Sequence, residues 1–431
     1  MGACTSRQKR KSIDDEVNTS RKKTTLMNDE AATTRNSSGP IQWLWNSSAN
    51  PFSELQPEWH PYDDIENMII EEAFLAREHL VEFDDYHIDL EHKVQISNND
   101  SAKQRQVTRM VCGKDDKYLR KNRFLPNPVA PDRPFGDQYG FISPFVKEVV
   151  VKHLKLTPDQ LPSKNKTIIP EIVEKAALGI IEEGKEIRKR IVAERIAKTL
   201  REKKEARMEE VWRCCAHLYT KESFLFYKIN EAMRLIGSKT HEQAWRNKVH
   251  TLGPFSLLLW DCPFNSKMTK PGTIFYRGTQ LPDNLIASFM DECSKDSKPL
   301  HSFQAFTSCT RNRNVAEMYG NIVFIMTVRL AFTVNLQPHS QYGDEEEELL
   351  IPGVCFTIDN VEFDKDNSKP LIYLTLQQRH NSKSTLSFIE CILIVGYAFC
   401  SHFSVIILVY KAARCLSINQ ISSTFHIRFS N

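Results

Sequence analysis

Residues 341–353 read QYGDEEEELLIPG, one aspartate and four glutamates running directly into three aliphatic residues and a proline. Four adjacent carboxylates ordinarily form a solvated acidic loop. If EEEELLIP instead enters a sheet as a strand, successive side chains point to opposite faces. Glu346 and Glu348 then share one face, and Glu345 and Glu347 share the other. Leu350 continues the Glu346/Glu348 face toward a core, so that pair is expected along the wall of a site while Glu345 and Glu347 stay solvated. Two carboxylates on one strand face suit a reaction that needs one acidic group per reactant. A slip of one residue would exchange the faces, and the Leu-Ile-Pro that follows Glu348 is the anchor against it.

The flanking sequence supports a sheet. From Gly272 onward, GTIFYRG, HSFQAFTSCT, NIVFIMTVRL and LIYLTLQ are short runs rich in β-branched and aromatic residues, the pattern of strands. In the first, Arg277 ends an apolar run before Gly278; glycine lets a ligand approach the backbone, and a guanidinium suits a diphosphate. In the second, Ser308, Cys309 and Thr310 leave a strand, a weak signal by itself. Upstream, Ile187, Ile191, Ile196, Leu200, Met208, Val211, Trp212 and Cys215 recur at helical intervals. The charged run 186–210 reads as the solvated face of one long helix.

Composition bounds the function. A chain of 431 residues holds two or three domains, and a net charge of +3 does not argue for a nucleic-acid partner. The eleven cysteines form no CxxC pair and no zinc-type cluster, so no metal is expected and reduced thiols are the default. Residues 1–39 are polar and basic, a composition that stays disordered. They open MGACTSRQKRKS, in which Gly2 fits an N-myristoylation pattern and Cys4 a palmitoylation site beside basic residues. At the other end, residues 391–410 reach the length of a membrane span. Glu390 at its edge and His402 inside it weigh toward a buried strand pair, and both readings stay open.

A second constellation lies near the N-terminus. Trp43, Trp45 and Trp59 fall within seventeen residues, followed by Tyr62, a helical stretch, YHIDLEHKVQ and QRQVTRM. Clustered aromatics are first of all core. Tyr86, Gln95 and Arg105, however, fall on adjoining strands and present a phenol, an amide and a guanidinium beside an aromatic wall, a set suited to a nucleotide.

In their order, W-x-W, W-x-P-Y, I-E-x-A-F, Y-x-I-D-L, Q and R-x-V-x-R over residues 40–112 resemble a WWE domain. The resemblance implies a small twisted antiparallel sheet on one helix. It also implies ADP-ribose or poly(ADP-ribose) binding by Trp43, Trp59, Tyr86, Gln95 and Arg105, although other members act in protein–protein contacts, and Leu44 stands where some readers carry an aromatic.

The order Arg, Ser-x-Thr, Glu-x-Glu, with the preceding helices, resembles the arginine-specific mono-ADP-ribosyltransferases over 165–380. That resemblance implies an α+β chain in which a helical segment, 165–250, leads into a split mixed and antiparallel β-core, 251–380. NAD is the implied co-substrate, with Arg277, Gly278, Ser308 and Glu348 around it. Glu348 is the implied catalytic glutamate, Glu346 receives the acceptor arginine, and Cys309 departs from the commoner Ser or Thr. Residues 113–164 read as a Pro-rich linker around one short element, PFVKEVVVKHL, and 381–431 as a tail. The implied partners are an arginine-bearing acceptor protein, ADP-ribosylated proteins and a membrane, on whose cytoplasmic side the enzyme is expected. The alternatives are a non-catalytic ADP-ribose-reading adaptor and an NAD glycohydrolase.

Overall fold

The computed structural model describes residues 40–52, 57–112, 135, 143–264, 268–296, 298–340, 342–365 and 368–378, in two units that divide near residue 119. Gly2, Cys4 and the stretch 391–410 lie outside the described residues. Among the described residues no helix is long and apolar enough to cross a membrane, which corrects the expectation of a transmembrane helix. The physical reason is visible in the helices themselves: the longest described helix, Ile169–Glu186, keeps a charged face, and the most apolar, Val249–Trp260, is only 12 residues long and buried within the unit.

The N-terminal unit runs β1 (Ile41–Asn46), β2 (Trp59–Pro61), α1 (Asp64–Leu75), β3 (Leu80–Glu82), β4 (Tyr86–Asp89), β5 (Val94–Ser97) and β6 (Asp100–Val111). Its six strands pair antiparallel throughout, in the order β2-β1-β6-β5-β4-β3. Helix α1 starts at Asp63, whose backbone N–H donates to the Glu66 carboxylate at 3.3 Å and so finds a partner at the helix start. Its Ile65, Ile70 and Ala73 are buried, as are Trp43, Leu44, Ile88 and Val107 of the sheet.

The second unit opens with α2 (Pro144–Glu148), α3 (Ile169–Glu186), α4 (Arg190–Arg201), α5 (Met208–Thr220), α6 (Phe224–Arg234), α7 (Glu242–Asn247) and α8 (Val249–Trp260). Then follow β7 (Ile274–Thr279), α9 (Asp283–Cys293), β8 (His301–Ser302), β9 (Thr307–Thr310), α10 (Arg313–Glu317), β10 (Ile322–Leu330), β11 (Thr333–Asn335), β12 (Glu347–Leu350), β13 (Cys355–Phe363) and β14 (Pro370–Gln377). The sheet order is β11-β12-β9-β7-β10-β14-β13-β8, with β10 and β14 parallel in an otherwise antiparallel set. Phe275, Phe324, Phe356, Ile372 and Leu374 fill its core. The α+β class is therefore as the sequence implies.

Three local expectations change. The charged run 186–210 is not one helix: the chain reverses at Arg188, in the left-handed region at φ 57°, and α4 folds back on α3. Gly184 permits this approach, because a Cβ there would stand 2.3 Å from that of Ala193. The stretch HSFQAFTSCT is not one strand but two, β8 pairing with β13 at one edge and β9 lying between β12 and β7. The short element within the Pro-rich stretch 113–164 packs into the unit instead of lying in a free spacer. Phe145, Val146 and Val149 are fully buried, and the Phe135 ring lies 5.4–6.0 Å from those of Phe289, Phe303, Phe324 and Phe356.

Candidate active site

Neighbouring strands β12, β9 and β7 carry Glu348, Ser308 and Arg277, with Ser308 one position out of register with Glu348 and so directed by alternation to the other face of β9. Cys309 pairs with Glu348, Ser308 with Leu349, and Tyr276 with Thr310. Arg277 is buried, and its guanidinium donates to the Ser308 carbonyl, tying β7 to β9 through a charged donor. Arg234, the last residue of α6, is a neighbour that the sequence reading missed. Burial, and then the charge of Arg277, push its guanidinium down to about 10. Two guanidiniums that repel one another suit a ligand of two negative charges, so the donor set fits the diphosphate of NAD.

Glu348 is 3% exposed, and both of its carboxylate oxygens are held. Arg311 Nη2 donates to Oε2 at 2.8 Å, and the Thr333 hydroxyl donates to Oε1 at 2.5 Å. Neither residue was singled out from sequence. Thr333 lies in β11, beside β12, and only strand pairing makes it a neighbour of Glu348. Cys309 lies behind, fully buried; desolvation, then the charge of Glu348, raises its thiol well above the usual range. That makes it packing rather than a nucleophile.

Around the acidic stretch the structure differs from simple alternation. A 3₁₀ turn, Gly343–Glu345, precedes the strand, and Glu346 adopts a left-handed conformation at φ 46°, outside β12. The Thr310 hydroxyl donates to the Glu345 carbonyl at 2.6 Å, and the Arg311 N–H donates to that of Glu346 at 3.3 Å. These bonds hold Glu346 at the mouth of the strand, where its carboxylate makes no hydrogen bond among the described residues. The expected solvation of Glu347 is overturned, because it is fully buried; both faces of β12 are covered, so alternation does not divide wet from dry.

Gly278 also reads differently in three dimensions. A Cβ there would lie 2.0 Å from the Ala316 carbonyl oxygen and 2.5 Å from that of Tyr319. The space is filled by the chain's own turn after α10, not held open for a ligand. Among the described residues no group of three or more His, Cys, Asp or Glu gathers as a metal site.

In the N-terminal unit, Gln95 stands opposite both Ile88 and Arg105, and Tyr86 lies two residues from Ile88. Tyr62 donates to Gln95 Oε1 at 2.6 Å, and its ring is 6.2 Å from that of Tyr86. Arg105 lies 5.4 Å over the Trp45 ring and donates to the Asn46 carbonyl at 3.0 Å, with half-buried Trp59 opposite Asn46 in the register. Trp43 is apart from this group: fully buried, it donates its indole N–H to Glu71 at 2.9 Å, so its ring face is core. Tyr62 and Trp45 are the neighbours not assigned from sequence. The W-x-P-Y run carries Tyr62, and the strand pairing gives it a role.

Comparison with known proteins gives two family matches: the WWE domain over residues 41–109, and the NAD:arginine ADP-ribosyltransferase over 154–382. No curated protein matches the chain in sequence. Among solved structures it is similar to the ADP-ribosyltransferase HopU1 of Pseudomonas syringae, at 15% identity and a TM-score of 0.33, over 49% of this chain and 96% of that one. It is also similar to exoenzyme S of Pseudomonas aeruginosa, at 13% and 0.30, over 51% and 97%. A third is the C3 exoenzyme of Clostridium limosum, at 16% and 0.27, over 38% and 84%. The second family match spans more than half of the chain, and the chain belongs to the NAD:arginine ADP-ribosyltransferase family, which transfers ADP-ribose from NAD.

Proposed function

We propose that the acceptor is an arginine side chain of a protein, and that the WWE unit recognises ADP-ribose already placed on targets. The observation that carries the reading is the placement of Arg277, Ser308 and Glu348 on three adjacent strands, with both oxygens of a buried carboxylate held by donors. Breaking the nicotinamide–ribose bond develops positive charge on the sugar, as in glycoside cleavage. Glu348, fixed before the reaction, stabilises that charge and takes the ribose 2′-hydroxyl. Arg277 and Arg234 meet the diphosphate, and Ser308 supports the nicotinamide ribose site through the carbonyl that holds Arg277. Glu346, uncommitted at the mouth of β12, receives an acceptor guanidinium whose pKa is too high for it to attack unaided. In the N-terminal unit, Tyr62, Tyr86, Gln95 and Arg105 supply donors and a π-face for an ADP-ribose unit.

Labelled NAD and polyarginine test the reading. Glu348→Gln is expected to abolish both hydrolysis and transfer, whereas Glu346→Gln keeps NAD hydrolysis and loses transfer to arginine. Normal transfer by Glu348→Gln sinks the assignment. Hydrolysis of NAD by the unaltered protein with no labelled polyarginine identifies an NAD glycohydrolase instead.

A further inference from the structure

His217 enters none of the steps above. It lies half-buried near the end of α5, and its Nδ1 stands 2.9 Å from the carbonyl oxygen of His339, 122 residues along the chain. A carbonyl only accepts, so Nδ1 carries the proton and donates. His339 closes a 3₁₀ turn, Gln337–His339, in the loop between β11 and β12. The Trp212 ring of α5 meets the His339 ring edge-on at 5.3 Å, and Trp212 is itself fixed by a 2.9 Å indole bond to the Leu259 carbonyl of α8. Burial, then the charges of Arg213 and His217, hold the His339 imidazole below its ordinary value, so it stays neutral near pH 7 and does not repel Arg213.

From this turn a run of short-range bonds leads to Glu346. The N–H groups of His339 and Ser340 donate to the Leu336 carbonyl at 2.9 and 3.0 Å. The Tyr342 N–H donates to the Ser340 hydroxyl at 3.0 Å, that of Glu345 to the Tyr342 carbonyl at 3.0 Å, and that of Glu346 to the Gly343 carbonyl at 3.2 Å. The left-handed backbone of Glu346 is disfavoured for a residue with a side chain and persists only where its surroundings hold it. Thr310 and Arg311 hold the far end of the loop through the Glu345 and Glu346 carbonyls, and the His217 bond holds the near end.

We propose that His217 is a positioning residue for the acceptor: by holding the His339 turn, it keeps the loop in the conformation that presents Glu346 to an acceptor guanidinium. The proposal rests on the reading of Glu346 as the residue that receives that guanidinium. Glu348 is carried separately, by the pairing of β12 with β11 and β9 and by the 2.9 Å bond from the Leu336 N–H to the Glu347 carbonyl. Loosening the turn therefore leaves NAD cleavage intact and affects only where the ADP-ribose goes, since attacking water needs no seat at Glu346.

The test measures, on the full-length chain, nicotinamide release from NAD without acceptor and ADP-ribose transfer to agmatine. The unaltered protein is compared with His217→Asn, His217→Gln and His217→Leu. An asparagine amide nitrogen overlays the histidine Nδ1 and a glutamine amide nitrogen overlays Nε2, so only His217→Asn restores the donor to the His339 carbonyl. In His217→Leu and His217→Gln, kcat/KM for agmatine is expected to fall about 2- to 10-fold, the worth of one neutral hydrogen bond. His217→Asn should recover most of that loss, with nicotinamide release and KM for NAD unchanged in every variant that melts cooperatively. Should His217→Leu fail to fold, the comparison of His217→Asn with His217→Gln decides. Equal transfer by all the proteins overturns the proposal and leaves the proposed function standing. Equal loss of hydrolysis and transfer also overturns it, by showing that His217 supports the whole site, as does His217→Asn performing no better than His217→Gln. Absence of transfer to agmatine by the unaltered protein removes the reading of Glu346, and this proposal with it.

Discussion

Replacing Thr333 by Val removes one hydroxyl and keeps the shape of the side chain. In the structure that hydroxyl lies 2.5 Å from Glu348 Oε1 and 2.8 Å from the Thr269 hydroxyl. The backbone N–H of Thr333 still donates to Thr269 at 3.1 Å, so the β11 anchor survives. What is lost is a donor to a nearly buried carboxylate, and a hydrogen bond to a charged group is worth about 1.5–3 kcal/mol. If the carboxylate uses that bond chiefly to hold its catalytic orientation, the loss falls on the transition state. At about 1.4 kcal/mol per factor of ten, NAD cleavage should fall by about 10- to 150-fold. The assay is kcat/KM for nicotinamide release, paired with a thermal melt of the same preparation. The expected result is a large fall in kcat with a small change in Tm. An activity within about twofold of the unaltered enzyme would refute the clamp, because the threshold lies well below one charged hydrogen bond.

The remaining expectations concern packing and the N-terminal unit. Gly278→Ala places a methyl group against two backbone carbonyls and should cost about 1–3 kcal/mol. Differential scanning calorimetry should show a fall of about 2–4 °C for each kcal/mol; an unchanged Tm with weakened NAD binding would restore the ligand-approach reading. Glu71 tests the sheet of the N-terminal unit. Burial raises its carboxyl, but the Arg109 and Trp43 hydrogen bonds and the Arg109 charge outweigh that and leave it below its ordinary value of 4.5. A depressed folded pKa gives stability that is present above the unfolded value and is lost as pH falls through the folded one. Melting of this unit should therefore be flat above about pH 5 and decline below it, and Arg109→Gln should flatten that decline. Tyr62→Phe removes the donor to Gln95 and should weaken ADP-ribose binding about 2- to 10-fold by calorimetry. Unchanged affinity would place the ligand elsewhere.

Much of the site is legible in one dimension because its chemistry is local. Arg277 at the end of an apolar run and the run of glutamates stand out by residue type, and Ser308, a weak signal alone, is picked out by its order between them. The WWE-like segment is read from the order of its aromatics. Arg234, Arg311 and Thr333 were not found, nor was the bond that Tyr62 makes, and the reason is the same for each. Their partners lie 43, 37, 15 and 33 residues away, far beyond the reach of helical or strand periodicity.

The acidic stretch shows the division most clearly. Sequence alone determined that 341–353 carries carboxylates into a strand, that the Leu-Ile-Pro after Glu348 anchors its register, and that the chain is α+β with two differently built units. Only the tertiary structure decided which carboxylate is held and which stays uncommitted. Alternation sorts side chains into buried and solvated when one face of a strand meets water. Strand β12 lies between β9 and β11 with both faces covered, so Glu347 is buried as well as Glu348. Glu346 escapes burial because the turn at 343–345 leaves it in a left-handed conformation before the ladder begins. Pairing across the sheet, which no single strand encodes, then supplies Glu348 with its donors from β11 and from the end of β9.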